Sequence, residues 1–139
     1  MTTRLNPYLN FRDTAGQAMD FYQSVFGGEL THSTFAEIQM PAEPGEEGKI
    51  LHSQLVTDNG LVLMAADVPN QMELTPGTNY SVSLSGDDEA ELSGYWEKLS
   101  DGANVTVLLA KAPWGDTFGM LVDKFGVSWL VNIAGAAQG

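Results

Sequence analysis

Apolar positions along the chain fall into two successive rounds of the same pattern. Residues 5 to 11 alternate around Leu5, Pro7, Leu9 and Phe11, which predicts a short strand with its proline near the start. Ala15, Ala18, Met19, Tyr22, Val25 and Phe26 then recur at helical spacing, so one helix face packs on a sheet. Thr14 with Gln17 three residues on has the form of a capping box, and Gly27-Gly28 stops the helix. Strands are expected from Glu29 to about Glu37, Lys49 to Thr57 and Leu61 to Ala66. Asp58-Asn59-Gly60 makes a hairpin turn with positive backbone angles. After a linker from Asp67 to Gly77, the order repeats. Tyr80 to Ser85 reads as a strand, and Asp87 and Asp88 suit a helix N-terminus. Leu92, Tyr95, Trp96 and Leu99 form the stripe that Asp101-Gly102 ends. Strands follow at Asn104 to Leu109, Thr117 to Asp123 and Val127 to Ile133. The tail Ala134 to Gly139 is expected to fray.

The two rounds superpose by number. Adding 74 carries Ala18, Phe21, Tyr22, Val25 and Gly28 onto Leu92, Tyr95, Trp96, Leu99 and Gly102. Further on the offset is 66, which carries Leu55, Val56, Gly60 and Leu63 onto Leu121, Val122, Gly126 and Trp129. The change comes from the longer Pro/Glu/Gly-rich connection around Pro41 to Gly48. That connection is expected to be a mobile surface loop in which Glu43, Glu46 and Glu47 are solvated. The fold class is therefore α+β: two tandem βαβββ modules forming paired curved mixed sheets around a cavity. The chain reads as a single domain over residues 1–139, with module one at about 5–67, a linker at about 68–78 and module two at about 79–133.

Charge and composition narrow the partners. A net charge of -12 argues against nucleic acid and against an anionic membrane surface, since both need a basic face. With no cysteine there is no disulfide, thiolate metal site or cysteine nucleophile. The N-terminal MTTRLNPYLNF lacks the apolar run of a signal peptide and no stretch reaches membrane-spanning length, so a cytoplasmic location is expected.

In order along the chain, NPYLNF, AMDFYQSVFGGEL, KILHSQL, LVLMAAD and WGDTFGMLVDKFGVSWLVN resemble the vicinal oxygen chelate superfamily. That superfamily includes glyoxalase I, bleomycin-resistance proteins and extradiol dioxygenases. The wording is closest to its PhnB-like branch, sometimes labelled 3-demethylubiquinone methyltransferase-like. The resemblance implies paired half-barrels, each cupping part of a cavity. The methyltransferase label finds no support in the residues, because no glycine-rich strand-to-helix turn is present to hold a nucleotide-like cofactor.

Metal-dependent members of the superfamily place His, Gln or Glu on the first and last strands of each module. This chain offers Asn6, Tyr8 and Asn10, then Leu63 and Met64, then Asn79 and Ser81, then Leu130 and Val131. The metal ligands therefore do not carry over, and neither a metal nor any other cofactor is expected. The resemblance then implies a metal-independent binder of an unknown small molecule. A divalent-metal lyase, isomerase or dioxygenase is the alternative, and a proton-transfer enzyme using His52 with a nearby carboxylate is a further one.

Candidate ligand-binding residues are His52, Asp67, Trp114, Asp116 and Phe118. A neutral imidazole accepts or donates near neutral pH, an indole stacks, and a carboxylate orients a donor. Two registers compete for His52. In one, Ile50, His52 and Gln54 share the cavity face, and in the other Leu51, Ser53 and Leu55 do. Asp116 equally suits a turn cap, Trp114 module packing and Asp67 the start of a turn. His32 reads as exposed strand surface. Tyr8, Tyr22, Tyr80, Tyr95, Trp96 and Trp129 read as core. A homodimer is expected, as related proteins commonly pair.

Overall fold

A computed structural model of the chain describes residues 3–39, 41–42 and 44–135. Met40, Glu43 and residues 136–139 of the expected fraying tail lie outside the described residues, so the solvated role expected of Glu43 does too. The chain divides into two compact units, Met1–Thr75 and Pro76–Gly139.

The first unit runs β1 (Tyr8–Phe11), α1 (Ala15–Phe26), β2 (Glu29–Thr34), β3 (Ile50–Val56) and β4 (Val62–Asp67). Its sheet has the order β1-β4-β3-β2, with β1 parallel to β4 and the other pairs antiparallel. The second unit repeats the scheme with β5 (Val82–Gly86), α2 (Glu89–Leu99), β6 (Asn104–Lys111), β7 (Thr117–Val122) and β8 (Ser128–Ile133), in the order β5-β8-β7-β6. These are the two βαβββ modules that the hydrophobic pattern predicts. Each helix covers one face of its own sheet and leaves the other open.

Strand alternation sorts the side chains. Leu9, Phe11, Ser53, Leu55, Leu63 and Ala65 are buried on the α1 side, together with Ala18, Met19 and Tyr22 of the helix. In the second unit, Leu92 of α2 packs with Val131 and Ile133, and Leu84, Tyr95, Trp96 and Leu109 border that cluster. Gly119 belongs to the same interface. A Cβ there would lie 2.8 Å from the Trp96 ring and 2.9 Å from the Leu109 backbone.

Three local expectations need correction. Thr14 stands at the N-cap of α1 but makes no side-chain capping bond. Asp67 supplies it instead, its Oδ1 accepting from the Ala15 amide at 2.9 Å. In the β3–β4 turn only Gly60 has positive φ, at 88°, and its amide donates to the Thr57 carbonyl at 3.0 Å. That fits a type I turn closed by a left-handed glycine rather than a turn positive at two residues. Finally, Glu46 is not solvated. It is only 3% exposed, bound to Lys49 Nζ at 3.0 Å and to the Asn70 amide at 2.7 Å. Glu47 is exposed, as expected.

Candidate functional site

The open face of the first sheet carries the hydrogen-bonding groups. On β1 the buried Leu9 and Phe11 leave Tyr8 and Asn10 pointing the other way. On β4, Met64 pairs with Tyr8 and with Gln54, which puts all three on this face.

A bulge takes Ile50 off the face that His52 occupies. Ser33 pairs with His52 but Thr34 pairs with Ile50, so β3 holds one extra residue, Leu51. Ile50 is therefore buried and lies nearest Gly16 of α1, while His52 and Gln54 share the open face. The expected trio is broken, because Ile50 sits on the opposite side from the other two. The exposed imidazole lies with its ring centroid 6.0 Å from that of Tyr8, the planes tilted by 35°.

Tyr8 is thus a site candidate that the sequence reading assigned to the core. It is 46% exposed. The alternation around Leu9 and Phe11 was the signal that could have found it. Tyr80, also read as core, is exposed as well. Tyr22 and Trp129 are buried, and Tyr95 and Trp96 of α2 are partly buried against Leu92, Val131 and Ile133, as expected of helix–sheet packing. His32 is exposed on the edge strand β2.

Asp67 points to the helix side of the same sheet. Both carboxylate oxygens are engaged by backbone amides, Oδ1 by Ala15 and Oδ2 by Ile50 at 3.0 Å, and the residue is buried. It ties the start of α1 to the start of β3. His52 and Asp67 therefore lie on opposite faces, and Asp67 cannot serve as the carboxylate partner of His52 through the open face.

In the second unit, the turn after β6 brings three candidates together. The Ala112 amide donates to the Asp116 carbonyl at 2.7 Å and the Gly115 amide to the Ala112 carbonyl at 3.0 Å, closing the loop on Pro113 and Trp114. Gly115 takes φ of 102°, which a side chain would strain. Trp114 is 63% exposed and meets Phe118 edge-on, with ring centroids 5.8 Å apart. Phe118 precedes the buried Gly119 and pairs with Asn132, which places both on the face away from α2.

Asn132 joins the site from a position with no local signal to single it out. Its Nδ2 donates to Asp116 Oδ2 at 3.0 Å, and the Gly135 amide donates to Oδ1 at 2.9 Å. These bonds, from Gly135 first and Asn132 second, hold the Asp116 carboxyl below the ordinary aspartate range. Asp116 is an ionised anchor that fixes the Asn132 amide on the open face. Its carboxylate partners lie on β8 and just after it, 16 and 19 residues away, rather than in its own turn.

His52 and Phe118 occupy matching positions in the two modules, each on the face opposite its helix. One module thus offers an imidazole where the other offers a phenyl ring.

The donor set does not fit a divalent metal. The open-face side chains of β1, β4, β5 and β8 include Tyr8, Asn10, Met64, Ser83, Leu130 and Asn132, none a carboxylate or imidazole. Among the described residues no three His, Asp or Glu side chains come together as a ligand group. Nor is any helix among them long and apolar enough to cross a membrane.

The comparisons agree with this architecture. The sequence model of the family described as 3-demethylubiquinone-9 3-methyltransferase matches residues 3–132. Protein PA1353 of Pseudomonas aeruginosa is 30% identical, with a TM-score of 0.83 over 97% of this chain and 100% of that one. The PhnB protein of Bacillus cereus is 29% identical, with a TM-score of 0.72 over 95% and 100%. A glyoxylase/bleomycin resistance protein/dioxygenase domain from Frankia sp. EAN1pec shares the fold, with a TM-score of 0.68 at 14% identity over 99% and 96%.

Proposed function

The chain belongs to the family described as 3-demethylubiquinone-9 3-methyltransferase, the PhnB-like branch of the glyoxalase/bleomycin-resistance fold, and from that premise we propose that it binds a small molecule without a metal. The observation that carries the reading is the pairing of Tyr8 with His52 on the open face of the first sheet. A phenol and an imidazole side by side offer a donor and an acceptor, with Gln54 and Asn10 on the same face. In the second unit Trp114 and Phe118 supply aromatic surface, and the Asn132 amide supplies a fixed polar group. A ligand with a flat apolar part and a few hydrogen-bonding groups matches this chemistry. The family's methyltransferase label is not taken over, since the turns into both helices, Arg12-Asp13-Thr14 and Asp87-Asp88, contain no glycine to admit a nucleotide-like cofactor.

The protein acts in the cytoplasm as a homodimer in this reading. Sedimentation at micromolar concentration tests the dimer, and a species of 14.9 kDa alone would refute it. Elemental analysis after mild purification tests metal independence. About one equivalent of zinc, nickel, iron or manganese, lost on His52→Ala, would overturn it. A small-molecule screen by thermal shift, followed by titration of hits against His52→Ala and Tyr8→Phe, tests the site. Weakened binding with an intact fold is expected, and unchanged affinity in both variants would remove the site.

A further inference from the structure

The strongest unassigned cluster is a set of charged side chains gripping the chain just after β4. Arg12 donates through Nη1 to the carbonyls of Val68 at 3.3 Å and Pro69 at 2.6 Å, and through Nη2 to that of Met72 at 2.8 Å. From the other side, the Asn70 amide donates to Glu46 Oε1 at 2.7 Å, and Lys49 Nζ donates to Asn70 Oδ1 at 2.9 Å. Lys49 also pairs with Glu46 at 3.0 Å and with Asp13 at 2.9 Å. Asp13 holds φ of 69°, one of two non-glycine residues among those described with positive φ. Such a conformation persists where surrounding contacts fix it.

The duplication shows that this cluster is an addition to the basic module. The Val68 amide donates to the Phe11 carbonyl at 2.7 Å, and the Ala134 amide donates to the Gly86 carbonyl at the same distance. Phe11 thus matches Gly86, and Arg12 matches Asp87. An aspartate cannot donate to carbonyls. The βαβββ fold therefore forms without the cluster, and the first module carries it where the chain leaves for the second.

The geometry points to a latch: Arg12, Glu46 and Lys49 fix the point at which the tether between the two units begins, and they release it without unfolding the first unit. With residues 68–72 held, the tether is the irregular chain from Glu73 to Ser81, nine residues. Fully extended, it spans at most about 30 Å, against roughly 45 Å once Pro69 to Met72 are free. The length of a tether sets the effective concentration of one unit at the other. The groups facing the latch are Arg12, Asp13, Glu46 and Lys49, so its closure depends on an ionised Glu46.

Hydrogen exchange on the full chain tests this, read as protection factors at pH 7 in wild type, Glu46→Gln and Arg12→Gln. We expect the Asn70 and Met72 amides to lose at least tenfold protection in each variant. The Leu55 and Leu63 amides in β3 and β4 should keep theirs. Unchanged protection at residues 70–72 would overturn the latch. Equal loss across β3 and β4, or a failure of both variants to fold, would also overturn it by showing the cluster to be part of the core.

Discussion

The indole Nε1–H of Trp129 donates to Asp123 Oδ2 at 2.8 Å, in a buried setting that also brings the amides of Phe125 and Val127 onto Oδ1. At the matching place in the first module stand Leu63 and Thr57. Thr57 holds its turn in the same way, accepting from Gly60 through its carbonyl and from the Leu61 amide through its hydroxyl at 2.9 Å. The two positions differ together between the modules. The module with a tryptophan N–H to satisfy has a carboxylate able to accept it, and the module with leucine has a hydroxyl.

Asp123→Ala should destabilise the protein by about 3 kcal/mol or more, because it orphans a buried indole N–H and two amides. Denaturant unfolding measures it. Trp129→Leu combined with Asp123→Thr should cost clearly less than the sum of the two single changes. Additive losses would show that the pair is not coupled.

Asp67 joins α1 to β3 through two backbone amides. Asp67→Ala should cost about 2–4 kcal/mol, the range for buried donors left unpaired at a helix start. Asp67→Asn keeps one acceptor and should cost less. If both variants unfold like wild type, the helix start does not depend on this carboxylate.

Gly27 and Gly28 separate two costs. Both have positive φ, but a Cβ on Gly27 meets nothing within 4 Å, whereas one on Gly28 would lie 2.4 Å from the Val56 carbonyl oxygen. Gly27→Ala should lose about 1–3 kcal/mol from backbone strain alone, since φ of 73° with ψ of -167° is open essentially only to glycine. Gly28→Ala should lose more, since the helix stop would also have to move off the end of β3. Equal losses in thermal unfolding would refute the close approach.

Acid should weaken the fold through two carboxylates. Glu46 is held below its ordinary value of 4.5 by the Asn70 amide first and by Lys49 next. Asp116 is held below 3.8 by Gly135 and Asn132. A depressed folded pKa gives stability that is complete above the unfolded pKa and lost as pH falls through the folded one. Stability should therefore decline below about pH 4.5, and Glu46→Gln should flatten that decline. Lys49, raised above 10.5 by Asp13 first and then by Glu46, acts in the opposite sense. Its contribution is complete below 10.5 and fades as pH rises past the folded value. A Glu46→Gln profile parallel to wild type between pH 3 and 5 would contradict the assignment.

Ser53 is buried on the helix side, and its hydroxyl has no hydrogen-bond partner among the described residues. Ser53→Ala should be neutral or stabilising by about 1 kcal/mol, as it removes a desolvated hydroxyl at little loss of packing. A loss above about 1 kcal/mol in denaturant unfolding would mean the hydroxyl is bonded in solution.

The alternation and helical stripes made the two modules, all eight strands and both helices legible. Those signals are local, and the burial of Leu9, Met19, Leu55, Leu92 and Val131 follows from them. What stayed hidden depends on partners far along the chain. Thr14 looked like the cap because it is adjacent, while the capping carboxylate of Asp67 arrives from the end of β4. Glu46 looked solvated because its neighbours are polar, and nothing local announces Lys49 and Asn70 converging on it. Tyr8 departs from the core expected of an aromatic residue because strand parity places it opposite the buried Leu9 and Phe11.

The extra residue in β3 has a further consequence. Ile50 turns toward α1 while His52 keeps the open side because Leu51 is unpaired between them. Simple alternation already carries His52 to the side of Gln54, so removing Leu51 would leave both residues on their present faces. A regular strand of unchanged length would instead lift Ile50 away from the helix. The bulge thus serves the isoleucine, and the histidine holds its place without it.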